Sequence, residues 1–424
     1  MHINIKMQKL RPETFFFTSY LLIGIFPIFN SLDVNNTQFL FLSFVGVSHF
    51  IYNLLKGFYK TNYNIVVFGL FIVFGLSLLS FISSINIPES AIDSSRLFIL
   101  FLILLNVYVS TKNDPKLIDL ALKLICISLF IEVAAVLKVF YEYYNLAIVD
   151  RIGRFFMYKG ISGNINIAGL SMVLKSSILL YYLQNSSSLI KKIGLGLFMI
   201  LTIFAISLTG SRGALLSMYV IILLFIILNV KIYFETKRAN YLYKPLYYII
   251  PFSIVFIITE LIFNTLRMSY RTIQIIDRGS ASRLDYWSSA IQAIAEYPIF
   301  GVGIGNWKLL SISYGNQYIE DYLVPHHAHN DFLQLTAEIG VIGGIIFLSI
   351  PLYIIYYIYK NFTKEKSNQI DYKFIFILLA VVVYCADSSL NFPLTRPIQS
   401  ATYFTLLAIA SSYFLKHSYI FIDQ

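Results

Sequence analysis

Apolar runs long enough to cross a bilayer recur along almost the whole 424-residue chain. A hydrocarbon core of roughly 30 Å needs about 20 apolar residues in a helix. On a window of about 19 residues, such runs fall near 15–30, 38–56, 64–83, 96–111, 117–141, 162–183, 193–209, 213–233, 246–264, 331–359, 373–390 and 398–415. With 58% hydrophobic and 13% charged residues, water cannot be the main solvent of this chain. Inside a bilayer the backbone must satisfy itself, which leaves helices or a closed barrel. Barrel strands alternate every second residue, whereas a run such as 213–230 is apolar on all sides, so helices are expected. The expected fold is an all-α polytopic membrane protein with about 12 transmembrane helices, a single integral membrane domain over 1–424. One large, partly helical extracytoplasmic loop, about 265–330, is inserted between spans 9 and 10.

The first run, Phe15 to Phe29, follows Lys6, Lys9 and Arg11 without a clear small-residue cleavage site. It reads as a retained signal anchor. Cys126 and Cys385 both lie in apolar runs, so neither a disulfide framework nor a cysteine metal site is implied.

The net charge of +10 is dispersed among short connections rather than gathered into a basic domain, which argues for topology and against nucleic acid. With both termini cytoplasmic, eighteen Lys and Arg flank the spans inside and eleven outside, as the positive-inside rule requires. The two faces differ in kind: sixteen of the eighteen are Lys, and nine of the eleven are Arg. Lysine is a hydrated point charge, whereas arginine presents a planar fork that grips phosphate or carboxylate in a bidentate way. An anionic ligand at the outer face follows. The alternative is that arginine is merely tolerated in a long loop that topology rules do not count.

Within that loop, Leu284, Trp287, Ile291 and Ile294 recur at helical spacing, which predicts an amphipathic interfacial helix. Ser282 with Asp285 resembles a capping box, and Pro298, Gly301, Gly303 and Gly305 predict a tight turn rather than a phosphate loop. The loop closes on Val324-Pro325-His326-His327-Ala328-His329-Asn330-Asp331. His326 and His329, three apart, are expected to share a helical face with Asn330 and Leu333. A neutral imidazole there can take a hydroxyl proton near pH 7. Zinc ligation and a merely solvated cluster are the other readings of these histidines.

Further polar residues sit at outer span ends. Thr209-Gly210-Ser211-Arg212-Gly213 joins two apolar runs so tightly that Arg212 must stay at the surface or enter the bundle, where an ion pair with Asp387 is the structural alternative. Arg151 and Arg154 precede Asn164 and Asn166, and Asp387, Asn391 and Arg396 bracket the last outer turn. Glu132 and Lys175 lie within spans, with no partner evident from spacing.

In this order the motifs resemble the O-antigen ligase and polymerase superfamily of bacterial envelope glycosyltransferases. The resemblance rests on the span count, Ser211-Arg212-Gly213, the loop with Arg283, Trp287, Pro298 and Gly301-Val302-Gly303, and His329-Asn330 before a span carrying Gly340 and Gly343. It covers chiefly residues 205–350. The resemblance implies transfer of a glycan from undecaprenyl pyrophosphate to a lipid A-core hydroxyl, or to a glycan acceptor in a polymerase, at the periplasmic face of the inner membrane. Neither nucleotide nor metal is implied, and no cofactor. His329 matches the family's base or acceptor-positioning histidine, with His326 as a second catalytic candidate. Arg212 and Arg283 match the pyrophosphate-binding arginines, which Arg151 and Arg154 are expected to join. Asn330, Asp285, Trp287, Asn164, Asn166, Asp387 and Arg396 are expected to support the site.

Displacing pyrophosphate needs no strong acid once its charge is neutralised, so one base and several arginines suffice, with inversion if displacement is direct. No Asp-x-Asp pair occurs in the sequence to hold a metal clamp. A transporter of lipid-linked sugars is the rival from another class. It would place polar residues at the midplane on paired broken helices, whereas here they gather toward one face.

Overall fold

In the computed structural model, residues 11–25, 34–143, 158–237, 245–259, 261, 281–314, 325–364 and 372–418 are described. Among them no strand occurs, and helix overlaps each of the twelve apolar runs. The helices are α1 (Pro12–Leu21), α2 (Val34–Leu55), α3 (Ile65–Leu79), α4 (Ile87–Asn113), α5 (Lys116–Tyr143), α6 (Ile165–Asn185), α7 (Leu189–Thr209), α8 (Arg212–Thr236), α9 (Leu246–Thr259), α10 (Ala281–Glu296), α11 (Trp307–Tyr314), α12 (Asp331–Lys364), α13 (Tyr372–Ser388) and α14 (Pro397–Ser418). Eight of these are long and apolar enough to cross a membrane: α2 to α8 and α12. The chain is therefore a multi-pass helical membrane protein. At the other four runs the described helices α1, α9, α13 and α14 are too short or too polar to meet that measure.

Short polar side chains start several helices. Asn64 Oδ1 accepts from the Val66 and Val67 amides, Asn164 Oδ1 from Asn166 and Ile167, and Ser211 Oγ from Ala214. Each satisfies donors that a helix leaves open at its first turn.

The helix ends sort into two faces. On one, Arg11 pairs with Asp114 at 2.9 Å, Lys373 with Asp119 at 3.3 Å, and Asn64 donates to the Ser411 carbonyl at 3.0 Å. On the other, Lys308 pairs with Glu89 at 2.7 Å, Gln399 donates to Ser162 at 2.8 Å, and Asp331 accepts from the Leu394 amide at 2.9 Å. The first group holds residues expected on the lysine-rich side and the second those expected on the arginine-rich side.

Helices α4 and α6 lie deepest. α4 packs on α14, α2 and α3, and α6 on α13, α7, α5 and α8. Between α5 and α6 the two intramembrane charges without an evident partner meet each other: Lys175 Nζ stands 3.2 Å from Glu132 Oε1, both fully buried. Ser128 accepts from Lys175, and Ser171 donates to both Glu132 oxygens. Every charged atom in this pair thus has a close partner, which is what makes burial tolerable in hydrocarbon.

The second of these faces is stitched together through a break in α12. Gly340 has φ 84° and ψ 168°, a conformation essentially reserved for glycine. The break frees the Ala337 and Glu338 carbonyls, which accept from the Val302 and Gly303 amides, while Val341 donates to the Pro298 carbonyl. Gly301, Gly303 and Gly305 all have positive φ. A Cβ on Gly301 would lie 2.3 Å from the Glu338 backbone. These glycines are backbone punctuation, as their spacing suggested, and they let the turn lie against α12.

Candidate active site

The segment before α12 is not helical, and the reason is local. Asn330 Oδ1 accepts from the Leu333 amide, so it caps the helix that begins at Asp331. Gln334 reaches back one turn to accept from the Ala328 amide. Between these two anchors His329 adopts φ +54°, a left-handed conformation that costs roughly 1–2 kcal/mol in a residue with a Cβ. His326 and His329 therefore share no helical face, contrary to the expectation from their spacing. His326 is exposed, whereas His327 and His329 turn inward.

Phe392 organises both inward rings. The His327 imidazole stacks on it at 4.2 Å, the His329 imidazole meets it edge-on at 4.9 Å, and the Arg396 guanidinium lies 5.1 Å from its centre. On its other contact, His329 faces the Tyr286 ring at 6.2 Å. Tyr286 belongs to α10 and lies three residues after Arg283, so the two share a face of that helix. This puts Arg283 beside the imidazole.

Electrostatics agree. Burial first, and then the Arg283 charge, lowers His329 to about 4. Arg283 itself is pulled below the usual arginine range by burial and by the Arg212 charge. Positive charge thus runs from Arg212 through Arg283 to His329. His327 is lowered to about 3 by burial and then by Arg396, with His329, His326 and Arg96 adding. Both imidazoles are neutral near pH 7. Nδ1 of each is buried with no hydrogen-bond partner among the described residues.

Arg212 is the exposed first residue of α8. Its turn rests closely on α6, where a Cβ on Gly169 would lie 2.8 Å from Ala214 and 3.0 Å from Ser211. A guanidinium at the start of a 25-residue helix adds to the amide donors and the positive dipole end there. Among the described residues Arg212 makes no ion pair with Asp387. Asp387 is buried and accepts instead from Asn391 Nδ2 at 2.8 Å.

The remaining residues named from sequence are placed as follows. Asn164 and Asn330 act as helix caps, and Asn166 and Asp285 are half-buried. Trp287 Nε1 is buried without a partner among the described residues. Arg151, Arg154 and the Ser282 side chain lie outside the described residues. The interfacial helix carries two apolar faces instead of one stripe. Ala290 and Ala293 are buried near Ala337, where small side chains allow close approach, while Leu284 and Ile291 are exposed. Tyr286 and Phe392 were missed. The i, i+3 spacing to Arg283 could have revealed the first; nothing local marks the second.

Residues 197–348 match the family described as O-Antigen ligase, a stretch that contains Arg212, Arg283 and His329. Over this stretch, the chain is similar to the O-antigen ligase family. Among its relatives, a protein described as a polysaccharide ligase from Rickettsia conorii is 34% identical over 96 residues, 21% of this chain and 21% of the relative. The ComP-specific O-oligosaccharyltransferase of Acinetobacter baylyi is 26% identical over 229 residues, 53% of this chain and 38% of the relative. The chain thus spans well under half the length of these relatives.

Proposed function

We propose that this protein is an O-antigen ligase-type glycosyltransferase, moving a glycan from undecaprenyl pyrophosphate to a lipid A-core hydroxyl at the periplasmic face of the bacterial inner membrane. The observation that carries this reading is the run of positive charge from Arg212 and Arg283 to a neutral, half-buried His329 whose Nδ1 has no partner among the described residues. The diphosphate sits against the two guanidinium groups, which neutralise charge as it departs. The acceptor oxygen attacks the anomeric carbon, its proton passes to the His329 imidazole, and the carbon–oxygen bond to the diphosphate breaks with its electron pair on the leaving group. Direct displacement inverts the anomeric centre. His326 is exposed and takes no part in this scheme. The twelve-span topology, with both termini cytoplasmic, belongs to the same proposal and sets the site outward.

A polymerase joining repeat units through the same donor is the second reading, and the oligosaccharyltransferase relative adds a protein hydroxyl as a third acceptor. Deletion separates them. A ligase mutant retains polymer on the polyprenyl carrier and shows bare lipid A-core, a polymerase mutant shows cores with one repeat, and normal long-chain lipopolysaccharide rejects both. Within the ligase reading, His329→Ala abolishes transfer with membrane insertion intact, and Arg212→Lys is impaired because a point charge replaces a fork. Full transfer by both variants removes the site.

A further inference from the structure

A line of hydrogen bonds that the transfer scheme does not use ends one residue before His329. Gln334 Oε1 accepts from the Ala328 amide at 3.0 Å, and Gln334 Nε2 donates to Glu338 Oε1 at 3.0 Å. Glu338 is buried, and its carboxyl group also accepts from the Gly305 and Trp307 amides. The turn that supplies those amides is itself fixed. Asn306 donates to Ser84 and Ser90 and accepts from the Asn86 amide at the start of α4. The line therefore runs from α4 through the 303–307 turn, Glu338 and Gln334 to Ala328.

The line has a direction. A side-chain amide has a donor end and an acceptor end of nearly equal size, so packing alone lets Gln334 face Ala328 with either. With Nε2 toward Ala328, two N–H groups would oppose each other. Glu338 removes that choice: it accepts from Gln334 Nε2, which leaves Oε1 for the Ala328 amide. The consequence falls on His329. Its left-handed backbone is uphill for a residue with a Cβ and persists only where neighbours impose it. Those neighbours are the Asn330 cap on one side and the held Ala328 on the other.

We propose that Gln334 and Glu338 are positioning residues for His329: Glu338 sets the direction of the Gln334 amide, which holds Ala328 and keeps the imidazole turned in between Tyr286 and Phe392. Neither side chain touches a reacting atom. The effect on rate rests on the transfer reading above, whereas the effect on the place of the imidazole does not.

Exchanging the two side chains tests it at constant volume. In Glu338→Gln the new Oε1 stays with the two turn amides, because the reverse leaves both unmet, and the new Nε2 turns Gln334 over, so that two N–H groups meet at Ala328. Adding Gln334→Glu restores every pair, since the new carboxylate accepts from Ala328 on one oxygen and from the new amide on the other. The readout is the His329 ring, followed by NMR of the histidine-labelled full chain in lipid nanodiscs and identified as the signal missing in His329→Ala. The wild-type ring titrates near pH 4. In Glu338→Gln it titrates toward the unperturbed value of about 6.5, and in the double variant it returns to the wild-type value. The groups facing it, Arg283 and Tyr286 of α10, His327 of its own segment and Arg396 across the Phe392 ring, are kept in every variant. Transfer by Glu338→Gln falls about tenfold in kcat with donor KM unchanged, and the double variant regains it. Gln334→Met leaves Glu338 on the turn amides but frees Ala328, and it moves the titration upward in the same way. A titration unmoved in Glu338→Gln or Gln334→Met, or not restored by the exchange, overturns the proposal. A titration that moves and returns while transfer stays at the wild-type rate upholds the positioning and overturns the role of His329 as base.

Discussion

The Tyr286 ring faces the His329 imidazole at 6.2 Å with the two planes 19° apart, and this contact ties the loop-end histidine to the helix that carries Arg283. One consequence concerns pH. His329 is held at about 4 by burial and by the Arg283 charge, and only its neutral form accepts a proton. Activity is lost as pH falls through its pKa. In the free protein that limb, read from kcat/KM, lies near pH 4. A bound diphosphate offsets the Arg283 charge, so the limb in kcat lies at higher pH. Initial rates measured across pH 3 to 8, roughly the span around an unperturbed imidazole, check this. Coincident limbs would remove Arg283 from the neighbourhood of the base.

A second prediction concerns stability in acid. His327 is buried against Phe392 and sits at about 3 in the folded protein, against an unfolded value of about 6.5. The unfolded chain binds this proton first, so stability is fully present above the unfolded pKa and is lost as pH falls toward the folded value. His327→Phe keeps a ring for stacking and removes the titrating nitrogen. Its melting temperature in detergent is therefore expected to fall less steeply than that of the wild type between those two pH values. An identical slope would mean that the acid sensitivity lies elsewhere.

The break at Gly340 gives a third. A Cβ there would lie 2.1 Å from the Ile299 carbonyl oxygen, and the φ of 84° disfavours any other residue. Strain and overlap together put the cost of Gly340→Ala at about 3 kcal/mol. Gly75→Ala, in α3 with nothing within 4 Å of the new methyl, is the control. Thermal unfolding of both variants in one detergent measures the difference, and equal midpoints would show that the turn at 298–303 is not locked to α12.

Where the chain forms helix was readable because apolar runs and short polar caps are local signals. Which way each helix faces was not. Leu40 is 58% exposed and Leu42 is fully buried, yet lipid and protein interior favour the same side chain, so periodicity in a bilayer carries little about burial. The candidate site divides along the same line. Arg212, Arg283 and His329 stand out by residue type at span ends, and the structure brings them into one electrostatic neighbourhood. The left-handed turn at His329 misled the spacing argument, because a cap at Asn330 and a reach-back from Gln334 override helical continuation. Phe392 meets His327 and His329 across more than 60 residues of sequence, and no local pattern encodes contacts of that span.

The Glu132–Lys175 pair shows what such a distant contact is worth. Removing one partner leaves the other charge in the bundle interior with only serine hydroxyls, Ser171 for Glu132 or Ser128 for Lys175. Either Glu132→Leu or Lys175→Met is therefore expected to destabilise by about 3–5 kcal/mol. The double variant buries no charge at all, and apolar side chains of similar volume fill the same space, so most of that loss is recovered. The pair lies within α5 and α6, below the Asn164 cap that starts α6, and it acts by fixing the two helices rather than by touching a reacting atom. Transfer activity at a temperature where the double variant is folded is accordingly close to that of the wild type. Melting temperatures of the four proteins, with activity beside them, decide the matter. A stable but inactive double variant would give the pair a part in catalysis, and a double no better than the worse single would mean that the serines, not the opposite charge, sustain each buried group.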